Sequence, residues 1–173
     1  MRSCRWKTCR DRRQGGKQAD AESRAASLEQ SPSQEEFTDR DRDRFLTEAF
    51  EYVANFFEGS LEELQERNAG IETTFRRIDA NHFTAKIYRN GKELSRCKIW
   101  FGGQRGFVGG IGYSTDLDHG DNSYNESISA ESDDYTMFLK PMGISFRHQD
   151  RESKLTAEGA AEYLWEMFIE SLQ

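Results

Sequence analysis

Cations and aromatic rings fall on even-numbered positions of two neighbouring segments of the chain, within residues 76–88 and 96–100. The members of this set are Arg76, His82, Lys86, Tyr88, Arg96, Lys98 and Trp100. Residues two apart share one face of a β-strand, so a hairpin would gather them on one surface. Such a surface can stack on and pair with a nucleotide or single-stranded nucleic acid. It is also typical of a solvated antiparallel face, and the acidic character of the rest of the domain favours this second interpretation.

A second candidate region is the glycine-rich and acidic stretch from residue 102 to residue 126. The glycine tract contains no lysine for a phosphate-binding loop and lacks the Gly-x-Gly-x-x-Gly spacing of dinucleotide sites. An EF-hand loop fails as well, because its sixth and twelfth positions would be Asp121 and Ser127. The alternative prediction is a nucleotide- or metal-dependent enzyme or ligand-binding domain with a glycine-floored pocket here. Its residues are Gly110, Gly112, Asp116, Asp118 and Asp121.

Groups for acid–base or nucleophilic catalysis are few. None of the three histidines has a serine, cysteine or second histidine placed as a nucleophile–base pair. Asp79 and Asn81 stand at the turn before His82, where capping the turn is their expected role. We therefore predict a protein that is not an enzyme and that holds no cofactor or metal.

The segments that position these side chains form a predicted β-hairpin. Its inward face alternates small and apolar residues, namely Phe83, Ala85, Ile87, Ser95, Cys97, Ile99 and Phe101. A two-residue turn at Asn90-Gly91 would place Ala85 opposite Arg96 and mix core with solvent. A three-residue loop, Arg89-Asn90-Gly91, instead pairs Phe83 with Cys97 and Ala85 with Ser95. We predict the three-residue loop.

Amphipathic helices are predicted at both ends of this region. Thr38 begins the first with a capping box, Gly59 ends it, Ser60 begins a short second helix, and Thr156 caps a closing one. Between them, strands are expected at 71–78, 107–113, 124–130, 135–139 and 144–147, beside the hairpin. Gly110 and Gly112 would share a strand face that a helix approaches closely. The fold class is α+β, an antiparallel meander sheet of five to six strands with both terminal helices on one face.

Charge and composition divide the chain at residue 36. Residues 1–36 are polar and basic and are predicted to be a disordered tail, whereas 37–173 form a single domain with 16 Lys/Arg against 25 Asp/Glu. That acidic balance argues against nucleic acid as a partner. The chain has three cysteines, no secretory leader and no apolar run of membrane-spanning length, so we expect a cytoplasmic protein without membrane contact.

Four phrases of the sequence resemble a known type of bacterial domain. They are FEYVANFFEGSLEELQERNAGIETTFRRIDANHFTAKIYRNGK, CKIWFGG, NSYNESISAE and FLKPMG. They resemble an accessory domain appended to Toll/interleukin-1-receptor-type and other defence or signalling proteins. The resemblance covers about residues 44–145 and transfers no catalytic motif. It implies a non-catalytic sensing, binding or assembly module whose partner is a protein or small ligand.

Overall fold

The computed structural model describes residues 37–102, 109–117, 124–142 and 154–172. One long helix precedes six strands, and a shorter helix with a final 3-10 turn follows them. The elements are α1 (Asp39–Arg67), β1 (Ile71–Asp79), β2 (His82–Arg89), β3 (Lys92–Phe101), β4 (Gly110–Ser114), β5 (Glu126–Ser132), β6 (Met137–Pro141), α2 (Ala157–Ile169) and the 3-10 turn (Glu170–Leu172). The predicted tail at 1–36 and the predicted strand at 144–147 lie outside the described residues. Within the described ranges, no helix is long and apolar enough to cross a membrane.

The sheet is an antiparallel meander, as predicted. Its spatial order, β1-β2-β3-β4-β5-β6, is the order of the chain, so every neighbouring pair is joined by one connection. β1 and β6 are the two edge strands. The α+β class is therefore confirmed.

A single core lies between the inner face of this sheet and the two helices. Phe83 and Ile99 point into it and are fully buried, and Phe57 of α1 contacts both Phe83 and Trp165 of α2 at ring-centroid distances of 5.6 and 5.3 Å. Apolar residues at helical spacing in α1 and at alternate positions in the strands bury together because each element has one apolar side. The buried set includes Leu46, Phe50, Val53, Leu61, Ala85, Ile87, Cys97, Ile111, Ile128, Leu139, Leu164 and Phe168.

Helix α1 begins as the sequence indicates but does not end there. Thr38 is the N-cap, its hydroxyl accepts a hydrogen bond from the backbone N–H of Asp41, and the Asp41 carboxylate accepts one from the Thr38 N–H. The predicted break at Gly59 is wrong, because α1 continues for another eight residues to Arg67. Phe57 and Leu61 on either side of Gly59 are both buried. Burying two such side chains stabilises by about 1.5–3 kcal/mol each, which exceeds the cost of about 1 kcal/mol for a glycine in a helix.

The hairpin between β2 and β3 has a different loop from the predicted one. Arg89 lies opposite Lys92, so Asn90 and Gly91 form a two-residue turn, with φ of 51° and 76°. The three-residue loop and its pairings are therefore wrong. The inward face is nevertheless the predicted one, with Phe83 opposite Ile99 and Ala85 opposite Cys97.

A β-bulge in β3 makes the two-residue Asn90-Gly91 turn compatible with the predicted inward face of the hairpin. Ile87 lies opposite Ser95 and Tyr88 lies opposite Glu93, so Leu94 is an extra residue without a partner on β2. One extra residue restores the alternation that a plain two-residue turn would invert.

Candidate functional site

The seven candidate contact residues lie on the side of the sheet away from the helices, which we call the outward face. Cross-strand pairs place them in rows, with Arg76 opposite Thr84 and Thr84 opposite Lys98. His82 lies opposite Trp100. Two further rows are Thr74–Lys86–Arg96 and Glu72–Tyr88–Glu93. The pattern thus identified a real surface of β1, β2 and β3.

Exposure changes sharply across this face. Arg76 on β1 and Arg96 near the hairpin end are exposed, whereas Lys98 is 7% exposed and Trp100 is 1% exposed. The Lys98 ammonium lies 5.2 Å from the centre of the Trp100 ring. A buried indole offers no surface on which a base can stack. The accessible part of the outward face therefore carries the cations Arg76, Lys86 and Arg96 together with Tyr88, Glu72 and Glu93, without an aromatic platform at Trp100.

Two of the exposed or half-exposed cations share one carboxylate. Lys86 Nζ lies 3.2 Å from Glu93 Oε2, and Arg96 Nη1 lies 3.7 Å from Glu93 Oε1. The hydrogen bond that Lys86 donates to Glu93 raises the pKa of Lys86. Arg96 also donates from Nε to the backbone carbonyl of Thr115, at 3.1 Å. Within the ranges that the structure describes, Arg76 makes no ion pair and no side-chain hydrogen bond, so its charge is the least compensated on this face.

His82 belongs to a turn. Asp79 Oδ1 accepts from the backbone N–H of Asn81 at 2.7 Å and lies 2.8 Å from His82 Nδ1. The hydrogen bond from His82 is the main reason why the pKa of Asp79 lies below its ordinary value. This geometry confirms the capping role expected for Asp79.

Only part of the alternative pocket predicted at residues 102–126 lies within the described residues. Gly110 and Gly112 lie on β4, and Asp116 donates its backbone N–H to Ser114 Oγ at 3.1 Å. Asp118 and Asp121 lie outside the described residues. In the part of the chain that is described, no group of three or more His, Cys, Asp or Glu side chains is placed to hold a metal ion.

Position 112 needs a glycine because the Trp100 ring packs against it, and not because a helix does. A Cβ at residue 112 would lie 2.5 Å from two carbons of the Trp100 ring, closer than side chains pack. The two residues are cross-strand partners on the outward face. The expectation that a helix covers Gly112 is therefore wrong, because both helices pack on the other face and the indole of β3 occupies the space above the bare backbone.

A cleft of about 700 Å³ opens between the end of α2 and the bulge of β3, a feature the sequence did not indicate. Ser95 Oγ donates to the backbone carbonyl of Phe168 at 2.6 Å and so is engaged in holding the helix end. Burial raises the pKa of Tyr113 on the cleft floor well above its ordinary value. The lining residues are Glu93, Leu94, Ser95, Arg96, Tyr113, Thr115, Met167, Phe168, Glu170 and Ser171. None of these side chains forms a nucleophile–base pair.

A buried carboxylate beneath α2 was also not predicted. Glu126 is fully buried, and its two oxygens accept hydrogen bonds from Tyr163 Oη at 2.7 Å and from the N–H of Ser127 at 2.9 Å. Burial and this hydrogen bond raise the pKa of Tyr163. Glu126 falls in phase with Ile128 and Ala130, which was the one available signal that its side chain points inward. The contact ties α2 to β5.

Comparison with known proteins relates this chain to one protein family. The model of the Y4lF protein domain family matches residues 72–170, which include all six strands except Ile71 and the whole of α2. The chain belongs to this family. It is 50% identical over 137 residues, or 79% of the chain, to the uncharacterised protein y4lF of Sinorhizobium fredii (strain NBRC 101917 / NGR234). The match covers 42% of that relative, so the chain spans less than half of its length. No solved structure gave a significant match.

Proposed function

We propose that the domain is a non-catalytic binding module that holds an acidic segment of a protein partner against the exposed part of its outward face. The observation that carries this proposal is the placement of Arg76, an exposed cation that makes no ion pair within the described residues, on the same face as Lys86 and Arg96. Both helices pack on the opposite face, so no described helix covers these side chains. The match to less than half of a longer relative supports the idea of a module.

The charge of this surface contrasts with that of the whole chain, which has a net charge of −7. A local positive patch on an acidic protein attracts acidic segments and orients them, and it does so mainly through the rate of association. Each exposed ion pair contributes about 0–1 kcal/mol, so the interaction is weak and depends on ionic strength. The acidic surroundings and the buried Trp100 both disfavour a nucleic-acid strand as the partner.

The bacterial signalling or defence setting implied by the resemblance, and the cytoplasmic location, fit such a module and remain predictions. The test is direct binding of a fluorescently labelled, glutamate-rich peptide of about eight residues, followed by anisotropy at about 50 mM and about 300 mM salt. We expect binding at the lower salt concentration and a marked loss at the higher one.

Charge reversal provides the matched comparison. Arg76→Glu should weaken peptide binding about tenfold, or about 1.4 kcal/mol, because it replaces attraction by repulsion at the patch. Arg42→Glu makes the same charge change on an exposed position of α1 and should leave binding unchanged. Absence of binding at low salt, or an equal loss in both variants, would refute the proposed function.

A further inference from the structure

We infer that the acidic segment binds as an added strand along the outer edge of β1, at Phe75 and Arg77. This inference rests on the proposed function and specifies the geometry and sequence pattern of the partner. Addition of an extended segment to a sheet edge provides affinity through backbone hydrogen bonds and specificity through alternate side chains.

The direction of the backbone groups of β1 follows from two hydrogen bonds. The carbonyl of Gly70 accepts from Asn90 N–H at 2.9 Å, so even-numbered residues of β1 face β2. The N–H of Thr73 points the opposite way and donates to Gln65 Oε1 at 2.8 Å. Because these directions alternate along a strand, the N–H and C=O groups of Phe75 and Arg77 also point away from β2. β1 is the first strand of the sheet, so these groups face no other strand in the described structure.

One end of this edge is closed by α1. Gln65 occupies the outward N–H of Thr73, and the hydroxyl of Thr73 donates to the backbone carbonyl of Leu61 at 3.2 Å. Further along, the guanidinium of Arg77 makes two hydrogen bonds to Glu51, of 3.1 and 2.7 Å, which order this part of the edge against α1. The available backbone is thus short and pre-ordered, and it starts at Phe75.

The side chains beside this edge define the chemistry of the added strand. A residue opposite Phe75 would lie on the inner side, next to a half-buried ring that is 5.2 Å from the Phe83 ring. A residue opposite Arg76 would lie on the outward face, beside the uncompensated guanidinium. Since residues alternate between faces, the partner segment alternates apolar and acidic side chains.

A second copy of this chain fits the edge less well. Antiparallel self-pairing centred on Phe75 would place Thr73 of each copy opposite Arg77 of the other, and it would need the Thr73 N–H. Gln65 already holds that N–H. A foreign segment need not extend past Phe75 and avoids this conflict.

The deciding experiment uses a labelled peptide of about eight residues that alternates Val and Glu, together with two N-methylated isomers. One isomer carries a backbone methyl group on every Val and the other on every Glu, so each blocks one hydrogen-bonding edge and leaves the side chains unchanged. We expect the unmethylated peptide and one isomer to bind within about threefold, and the other isomer to lose at least about tenfold. Loss on the Val-methylated isomer indicates an antiparallel added strand, and loss on the Glu-methylated one indicates a parallel strand.

A protein variant tests the same edge from the other side. Arg77→Pro removes an outward N–H that makes no bond to β2, and Arg77→Ala removes the same ion pair with Glu51 but keeps that N–H. We expect Arg77→Pro to bind the peptide at least about tenfold more weakly than Arg77→Ala. If the proline variant does not fold, the two peptide isomers still decide.

The outcomes separate this inference from the function on which it rests. If the unmethylated peptide binds in an Arg76-dependent way but both isomers bind alike, or both fail, the edge geometry is refuted and binding on the outward face stands. If the alternating peptide does not bind but the glutamate-rich peptide does, only the edge geometry is refuted; if neither binds at low salt, the proposed function fails as well. A dimer of the protein that the peptide dissociates would place a second copy on the edge and overturn the choice of occupant.

Discussion

The two edges of the sheet end in different ways. At β6, Leu139 and Leu155 exchange backbone hydrogen bonds of 2.8 Å in both directions, and Lys154 makes an ion pair of 2.7 Å with Asp133. Residues 154–155 therefore cover the edge of β6 as a further strand would. At β1, the outward N–H groups of Ile71 and Thr73 are occupied, by the Asn68 carbonyl and by the Gln65 side chain, whereas those of Phe75 and Arg77 face no other strand in the described structure. An exposed edge invites pairing with another chain, and this difference is why our inference places the added strand at β1.

The outward face of the sheet is likewise closed on one side and open on the other. Near β4 and β5 it is closed, with Trp100 and Ser127 each 1% exposed. Near β1 it is open, with Arg76 and Thr74 exposed. The side of β1 therefore combines a partly unpaired edge with an accessible surface that carries Arg76, whereas the edge of β6 is paired with Leu155.

The substitution expected to change stability most replaces Trp100, on the closed side of the outward face. Trp100→Ala removes a buried ring and should lower the free energy of unfolding by about 3–5 kcal/mol. Arg76→Ala, on the open side of the same face, should change it by no more than about 0.5 kcal/mol. Urea unfolding monitored by circular dichroism measures both. Similar losses in the two variants would show that the face is not divided in this way.

Glycine 112 provides a smaller and more specific test. Gly112→Ala places a methyl group against the Trp100 ring and should destabilise the protein by about 1–3 kcal/mol. Gly59→Ala is the control, because no atom lies within 4 Å of the added methyl group and alanine favours a helix by about 1 kcal/mol. Thermal unfolding should thus shift in opposite directions. A neutral Gly112→Ala would mean that the indole does not occupy this space.

The smallest predicted effect concerns the edge of β6, where the lowered pKa of Asp133 makes stability depend on pH. Lys154, with help from the backbone N–H groups of Tyr135 and Thr136, holds the pKa of Asp133 far below its ordinary value of 3.8. A lowered pKa contributes stability at pH values above 3.8, and this contribution is lost as the pH falls towards the folded-state pKa. Lys154→Met should therefore raise the pKa of Asp133 in an NMR titration of its carboxyl group.

Lys92→Met, at the exposed hairpin turn, is the matched control and should leave that pKa unchanged. If the pKa of Asp133 is the same in all three proteins, Lys154 does not hold the segment that seals β6.

Periodicity was sufficient to predict the class of fold and the two faces of the hairpin. Alternating residues such as Phe83, Ala85 and Ile99 are buried as expected, and Thr38 and Thr156 cap the helices that the sequence indicated. These features depend on local chemistry and on a single apolar side per element, which the chain itself displays.

Tertiary contacts decided the features that the sequence did not reveal. Gly59 is a helix stop by local preference, but the burial of Phe57 and Leu61 overrides that preference. The bulge at Leu94 has no signature of its own, because it only reconciles an Asn-Gly turn with a face fixed elsewhere.

Alternation predicted correctly which residues share the outward face but not how exposed each of them is. The rows of Arg76, Lys86 and Arg96 lie where alternation places them, but alternation carries no information about what lies above Trp100. The open edge of β1 depends on which strand is first in the sheet and on Gln65, eight residues from Thr73, reaching its backbone. Both are properties of the assembled fold.

Amide hydrogen exchange measured by NMR tests the central claim most directly. If β1 has an unpaired edge and β6 a sealed one, the amides of Phe75 and Arg77 will exchange at least about a hundredfold faster than those of Leu139 and Leu155, since exchange of a bonded amide requires local opening. Binding of the alternating peptide should then slow the first pair and leave the second unchanged. Equal protection of the four amides in the unbound protein would contradict the account.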